Sequence, residues 1–478
     1  MGGFARRHLW KIHPRSLARS MVTTTVNPLE PTADDPWMAP PFGSESFRRI
    51  RRSPTGLALF DQAILSGTSL IMIVAVKRFA GLEALGLYSL AYSVLMVALC
   101  FQRSLTISPY TIFCRRVDEL RRAGMRASAR LQVTAFALIG AIISLLGWLI
   151  ARQYVGEAYL AIFAVMILAL PAELFKDYFR SMSIADGNFR GAIKIDGLTS
   201  FLQLSFVAVL GYVGRLDGVS AILALACARV LVAASFFVVT ISQHRWASIN
   251  FLSDIEQSWS IGSWLMLSQV THATQSYALH WVVAITLGVS QSGIFSACWT
   301  VVQLISPFVQ GLGNAFEPQI AHEYVKNGIA GVNRFVTKAS TLVGLIAFIY
   351  WSVLAVFGSS ILALLYGDDA RSDAMLTLTL ASAAAILAIG MVAGKGLAVL
   401  ERPNLSFFST LTGLVLSLLI TIVLIVPLGT FGAAIGAVVG ALSTTGIRWL
   451  LYRKVSRQKA VRANESNQKA SPSGDQNQ

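Results

Sequence analysis

Residues 85–107 read LGLYSLAYSVLMVALCFQRSLTI, and this run decides the fold. It carries a single charge, Arg103, close to its end. A helix rises about 1.5 Å per residue, so about 20 apolar residues cross a hydrocarbon layer about 30 Å thick. Lipid offers no partner to backbone N–H and C=O groups, so such a run must satisfy them internally, as a transmembrane helix.

Eleven further runs of this kind lie on either side, at 57–76, 131–151, 158–175, 197–214, 219–241, 261–287, 294–312, 335–357, 374–400, 405–427 and 431–452. Of the 478 residues 55% are hydrophobic and 13% charged, and the mean hydropathy is +0.62. A soluble domain carries about 25% charged residues, so an ordinary cytosolic enzyme is excluded. The expected fold is an all-α polytopic membrane protein of about twelve transmembrane helices in two six-helix halves, 57–242 and 261–452. A polar connector, 243–260, reads as a cytoplasmic linker between them. Residues 1–56 are basic and proline-containing with no spanning run, and 453–478 are rich in Ser, Asn and Gln. Both read as disordered cytoplasmic tails.

The formal charge of +15 could signal nucleic acid, but its distribution points elsewhere. With the N-terminus in the cytoplasm, 32 Lys and Arg fall on cytoplasmic segments and five on the other side. That asymmetry is the positive-inside pattern, puts both termini in the cytoplasm and leaves no call for a nucleic-acid partner. Cys100, Cys114, Cys227 and Cys298 lie in or beside apolar runs without CxxC spacing, and read as buried thiols.

Catalysis has little to stand on. There is no GxxxxGK[ST] phosphate loop, no HExxH and no Cys/His cluster, so neither a cofactor nor a metal is expected. Asp368 and Asp369 lie in the longest external loop, 358–373, and read as a solvated turn. Transport is the main reading.

Ionisable groups inside lipid are costly and normally face a cavity or a partner. Arg229 lies about halfway through the sixth span, either lining a cavity as an anion site or pairing structurally with a neighbouring helix. Arg103 lies nearer the cytoplasmic end of the second, where snorkelling is an alternative. The seventh span carries Gln269, His272, Ser276 and His280 along one stripe, and the eighth Gln303, Ser306, Gln310, Asn314 and Glu317, with Pro307 expected to bend it. Such stripes line water or glue helices together. Asp61, Glu173, Glu317 and Glu401 are placed near helix ends, with Asp61 and Glu317 as ion-coupling candidates. The resulting lumen is cationic and suits a phosphate or pyrophosphate, with Arg229, Arg103, Gln269, His272, His280, Gln303, Gln310 and Asn314 as its candidate substrate ligands.

Three stretches carry a resemblance: Gly311-Leu312-Gly313-Asn314-Ala315-Phe316-Glu317-Pro318-Gln319-Ile320-Ala321; Gly394-Lys395-Gly396 through Arg402-Pro403-Asn404; and Gly429-Thr430-Phe431-Gly432-Ala433-Ala434-Ile435-Gly436. With the six-plus-six layout, the chain resembles the polysaccharide transporter family, the Wzx-type flippases, of the multidrug/oligosaccharidyl-lipid/polysaccharide exporter superfamily. The resemblance implies a multi-pass protein of the bacterial inner membrane, not an enzyme. It would flip a polyprenyl-pyrophosphate-linked oligosaccharide outward by alternating access, in surface polysaccharide biosynthesis. Its partners would be the lipid-linked oligosaccharide, membrane lipid, a polysaccharide polymerase and chain-length proteins. The glycines of the last span, Gly429, Gly432, Gly436, Gly440 and Gly446, are expected to allow rocking of the halves. The rival within transport is a cation-coupled multidrug antiporter of the same superfamily. The rival of another class is a membrane acyltransferase or polysaccharide polymerase using His280.

Overall fold

The computed structural model describes residues 54–114, 117–154, 157–241 and 250–470, so most of the first expected tail lies outside the described residues. From Pro54 onward the chain is one compact unit. Its helices are α1 (Pro54–Gln102), a π-helical turn (Arg103–Ile107), α2 (Ser108–Phe113), α3 (Glu119–Tyr154), α4 (Glu157–Ala185), α5 (Phe189–Tyr212) and α6 (Gly218–Ile241). Then come α7 (Phe251–Leu287), α8 (Val289–Gln303), α9 (Ser306–Tyr366), a 3-10 turn (Asp368–Asp373), α10 (Ala374–Val399), α11 (Pro403–Leu428) and α12 (Thr430–Ala470). No strand occurs among the described residues.

Eight helices among the described residues are long and apolar enough to cross a membrane. Two of them, of 54 and 61 residues, would extend about 80–90 Å if straight, far more than one crossing needs. Each contains one non-helical glycine, Gly81 in α1 and Gly328 in α9, where one span ends and the next begins. Gly81, Gly187, Gly214, Gly288, Gly328, Gly367 and Gly429 all have positive φ, as does Glu401. These eight sites mark reversals between consecutive helices; seven are glycines, which enter the left-handed region without strain, and Glu401 is the exception.

Prolines account for the irregular segments. Pro109, at the start of α2, has no N–H to donate back along the helix, and the π-helical turn sits immediately before it. Pro307 opens α9 after α8 has stopped at Gln303, so the expected bend of the eighth span is a break between two helices.

Two expectations of irregular chain are corrected. Helix α7 begins at Phe251, so 251–260 of the expected linker are helical. That stretch has no Gly or Pro, and Asp254 in its first turn pairs with Arg121 at the start of α3. Helix α12 runs to Ala470 where a polar coil was expected from 453. Lys, Arg, Gln, Ala and Val there sustain a helix, and the Tyr452 and Ser456 hydroxyls each donate to Asn333 Oδ1 of α9 at 2.7 Å.

The core forms two clusters. One runs through α1, α3, α4, α6, α8 and α10, and the other joins α9, α10 and α12. The glycines of α12 do not act as a rocking face between halves. Gly432, Gly436 and Gly440 press on Leu424, Thr421 and Ser417 of α11, while Gly429 is a turn and Gly446 faces open space. They join two helices of the same half, because small residues let backbones approach.

The halves meet along α7, where a Cβ at Gly262 would strike the Ser104 carbonyl, and again at the end away from the Arg- and Lys-rich connections, called here the far end, in contrast to the basic end. A Cβ at Gly86 would strike the Val289 carbonyl, and one at Gly293 the Leu82 carbonyl. Lys77 donates to Asp369 at 2.7 Å, and Arg78 to the carbonyls of Leu364 and Leu365. The hydrogen bond from Lys77 holds the Asp369 carboxyl below its usual value, so the expected solvated turn at 368–369 is in part a clasp between halves.

Candidate functional site

Helix α4 is apolar as far as Ala172 and then presents Glu173, Lys176, Asp177 and Arg180 along one face, three or four residues apart. Arg229 on α6 donates Nε–H to Glu173, Nη1–H to Gln203 of α5 at 2.8 Å, and a further bond to the Leu225 carbonyl at 3.2 Å. Arg103 in the π-helical turn donates to both oxygens of Asp177, at 2.6 and 3.1 Å. Lys176 and Arg180 both pair with Asp196 of α5, and Arg180 reaches Asp61 of α1 at 2.6 Å. Four cations face four carboxylates, and Asp196 and Asp177 are 0% and 1% exposed. These four pairs cancel, while the guanidinium of Arg130, 6% exposed, lies over the Phe179 and Phe237 rings. Charges this deep are tolerated only when paired and hydrogen-bonded.

This geometry settles the place of three sequence candidates. Arg229 belongs to a structural pair and not to the cavity described below, because Glu173, expected near a helix end, is buried beside it. Arg103 is held by Asp177. Asp61 is 4% exposed and engaged by Arg180, so it is not a free carboxylate.

The second half holds a cavity of about 640 Å³. Gln269 and His272 line it from α7, Gln303 from α8, and Gln310 and Asn314 from α9, so the two polar stripes do converge. Trp299 and Tyr350 add aromatic walls. With Gln275 of α7, five glutamines or asparagines in one chamber offer both donors and acceptors, which suits hydroxyl-rich or amide-bearing ligands. His280 stands apart. It is 4% exposed, and its ring packs edge-on against Phe295, with centroids 5.0 Å apart, and near Trp299 and Tyr277. It does not line the cavity, which removes the geometric basis for a catalytic histidine there.

Two cations that sequence reading missed line this cavity, Lys395 of α10 and Arg448 of α12. Both fall inside expected spans, 374–400 and 431–452, near the cytoplasmic ends, and belong to the 32 basic residues assigned to the cytoplasmic side. Lys395 pairs with Glu317 at 2.6 Å, which places Glu317 as a counter-charge. Arg448 has no acidic partner among the described residues. Its donors go to Ser409 at 3.2 Å, Thr410 at 2.7 Å and the Gly390 carbonyl at 3.4 Å. The missed signal was positional, since Arg448 follows only 18 residues after Thr430 and so cannot clear a 30 Å layer. The cations that line the cavity are thus Lys395 and Arg448 of the second half, and neither Arg229 nor Arg103 is among its lining residues.

No family model and no characterised sequence matches the chain. Solved structures do. An inward-facing multidrug resistance MATE family transporter of the MOP superfamily aligns with TM-score 0.73 and 16% identity, over 84% of this chain and 95% of that one. An outward-facing MATE transporter aligns with TM-score 0.62 and 16% identity, over 87% and 99%. A MOP superfamily transporter from Pyrococcus furiosus, described as having a binding pocket of reverse polarity, gives 0.61 and 16%, over 87% and 99%. The likeness shows the fold. The fold is that of the MATE transporters, two halves of about six helices.

Proposed function

We propose that the protein is an alternating-access transporter of small organic molecules, of the multidrug type, whose second-half cavity holds an anionic or neutral polar solute. The shared fold supports alternating access, and the clasped far end is one of the two closures such a cycle needs. One observation carries the solute class: Arg448 presents a guanidinium to the cavity among hydroxyls and amides, with no acidic partner among the described residues. A fixed cation in a cavity set off from bulk water attracts anions and repels organic cations. Uptake of a carboxylated fluorescein dye against ethidium in proteoliposomes tests it. The anionic dye should be carried by the wild type and lost in Arg448→Gln, while preference for ethidium would overturn the solute class.

A second reading is favoured by the amide-rich lining. Gln269, Gln303, Gln310 and Asn314 beside Arg448 and the Trp299 ring are what a sugar bearing a phosphate calls for. In that reading the cargo is a polyprenyl-pyrophosphate-linked oligosaccharide, flipped across the bacterial inner membrane with both termini cytoplasmic. A polysaccharide polymerase and chain-length proteins would then receive it. A membrane-impermeant glycosidase acting on a fluorescent lipid-linked saccharide in proteoliposomes separates the two readings.

A further inference from the structure

Helix α12 is 41 residues long, about 60 Å, roughly twice the thickness of the hydrocarbon layer. Measured from Thr430, Leu450 lies about 30 Å along it, so the next two turns stand at headgroup level. The outward stripe of the helix can be followed across that boundary. Leu442, Gly446 and Leu450 are exposed at intervals of four, and Arg453, Lys454 and Arg457 are exposed three, four and seven residues beyond Leu450. The same face that meets acyl chains therefore turns basic where the chains give way to phosphates.

That face is fixed in rotation. Val455 and Ser456 are buried on the opposite side, and the Tyr452 and Ser456 hydroxyls bind Asn333. Lys459 lies 3.9 Å from Glu401 and 5.4 Å from the centre of the Tyr324 ring. Arg453, Lys454 and Arg457 have no acidic partner among the described residues. The Arg453 guanidinium lies 5.9 Å from the centre of the Trp449 ring, an aromatic residue of the kind that anchors helices at this depth.

We propose that Arg453, Lys454 and Arg457 form a binding site for the headgroup phosphate of an anionic phospholipid in the leaflet at the basic end. Three cations projecting at headgroup depth from a lipid-facing stripe have charge complementarity with such a lipid and with little else at that position. Guanidinium forks on Arg453 and Arg457 can each take two phosphate oxygens, and Lys454 adds a point charge between them.

The test uses the full chain, purified with native lipid. Bound phosphatidylglycerol and phosphatidylethanolamine are compared by native mass spectrometry for the wild type and for two charge-matched variants. One is Arg453→Gln/Lys454→Gln/Arg457→Gln. The other removes three exposed basic residues of α9, Lys326→Gln/Arg334→Gln/Lys338→Gln. The wild type should favour phosphatidylglycerol by about tenfold or more. The α12 variant should lose that preference while the α9 variant keeps it, with both eluting as folded protein. Equal loss in the two variants would reduce the effect to net charge and overturn the site, as would an unchanged preference in the α12 variant. If the α12 triple fails to fold, Arg453→Gln and Arg457→Gln singly should each lower the preference, and no change in either would overturn the proposal.

Discussion

Arg229 and Glu173, 56 residues apart in sequence, form a buried ion pair, and the same guanidinium also binds Gln203 and the Leu225 carbonyl. A mid-membrane arginine is thereby neutralised by carboxylate, amide and carbonyl together. The pair ties α6 to α4 and α5 and gives α4 one of its four charged anchors in the first half.

Arg229→Ala should lower stability by about 3–5 kcal/mol, because Glu173 is left buried without its cation. Thermal melting of the detergent-purified protein would show it. The double variant Arg229→Met/Glu173→Leu should recover most of the loss, since both charges leave together. A double variant no better than the single would mean the pair contributes specificity that apolar residues cannot replace.

Arg448→Gln should behave in the opposite way. Its partners are neutral hydroxyls and a carbonyl, so a neutral hydrogen-bonding side chain leaves no orphaned charge. Membrane level and melting temperature should stay near wild type, while uptake of the anionic dye falls tenfold or more, about 1.4 kcal/mol. Arg448→Lys should retain part of the uptake, having the charge without the fork. Depletion of Arg448→Gln from the membrane would mark this arginine as structural instead.

The Lys77–Asp369 contact should hold the far end closed across the ordinary pH range. A carboxyl lowered on folding adds stability that is full above its unfolded value near 3.8 and is lost as pH falls through the lower folded value. Spin labels at Phe79→Cys and Leu364→Cys, both exposed near this end, should therefore report the same separation at pH 7 and pH 5. Asp369→Asn should broaden that separation at pH 7. Asp369 is 64% exposed, so the energy involved is below about 1 kcal/mol and the shift is one of population.

Topology can be read at the turns. Reporter fusions after Gly81, Gly214 and Gly367 should fall on one side of the membrane, and fusions after Gly187, Gly328 and Glu401 on the other. Two adjacent fusions on the same side would break the assignment of twelve crossings.

Much of the site was legible as pattern. The stripes Gln269–His272 and Gln303–Gln310–Asn314 could be read because a helical face repeats every three or four residues, and they do line one cavity. Their charge could not be read that way. Arg448 and Lys395 look like loop residues because each closes an apolar run, and hydropathy alone does not say whether a run ends in water or in a chamber. His280 obeys the same spacing as His272 but stands about 12 Å further along α7, where its ring packs against Phe295 and Trp299 and not into the cavity.

Local chemistry determined the class of this protein. The apolar runs are long enough to cross, the prolines and glycines set the breaks, and the basic residues set the ends, all through interactions within a few residues of each other. What only the tertiary structure decided is which charges cancel. Lys176, Arg180, Arg103 and Arg229 find Asp196, Asp61, Asp177 and Glu173 across four different helices, and Arg448 finds none. Ion pairing at depth depends on distances between helices, and helices are placed by packing contacts that no single stretch of sequence contains.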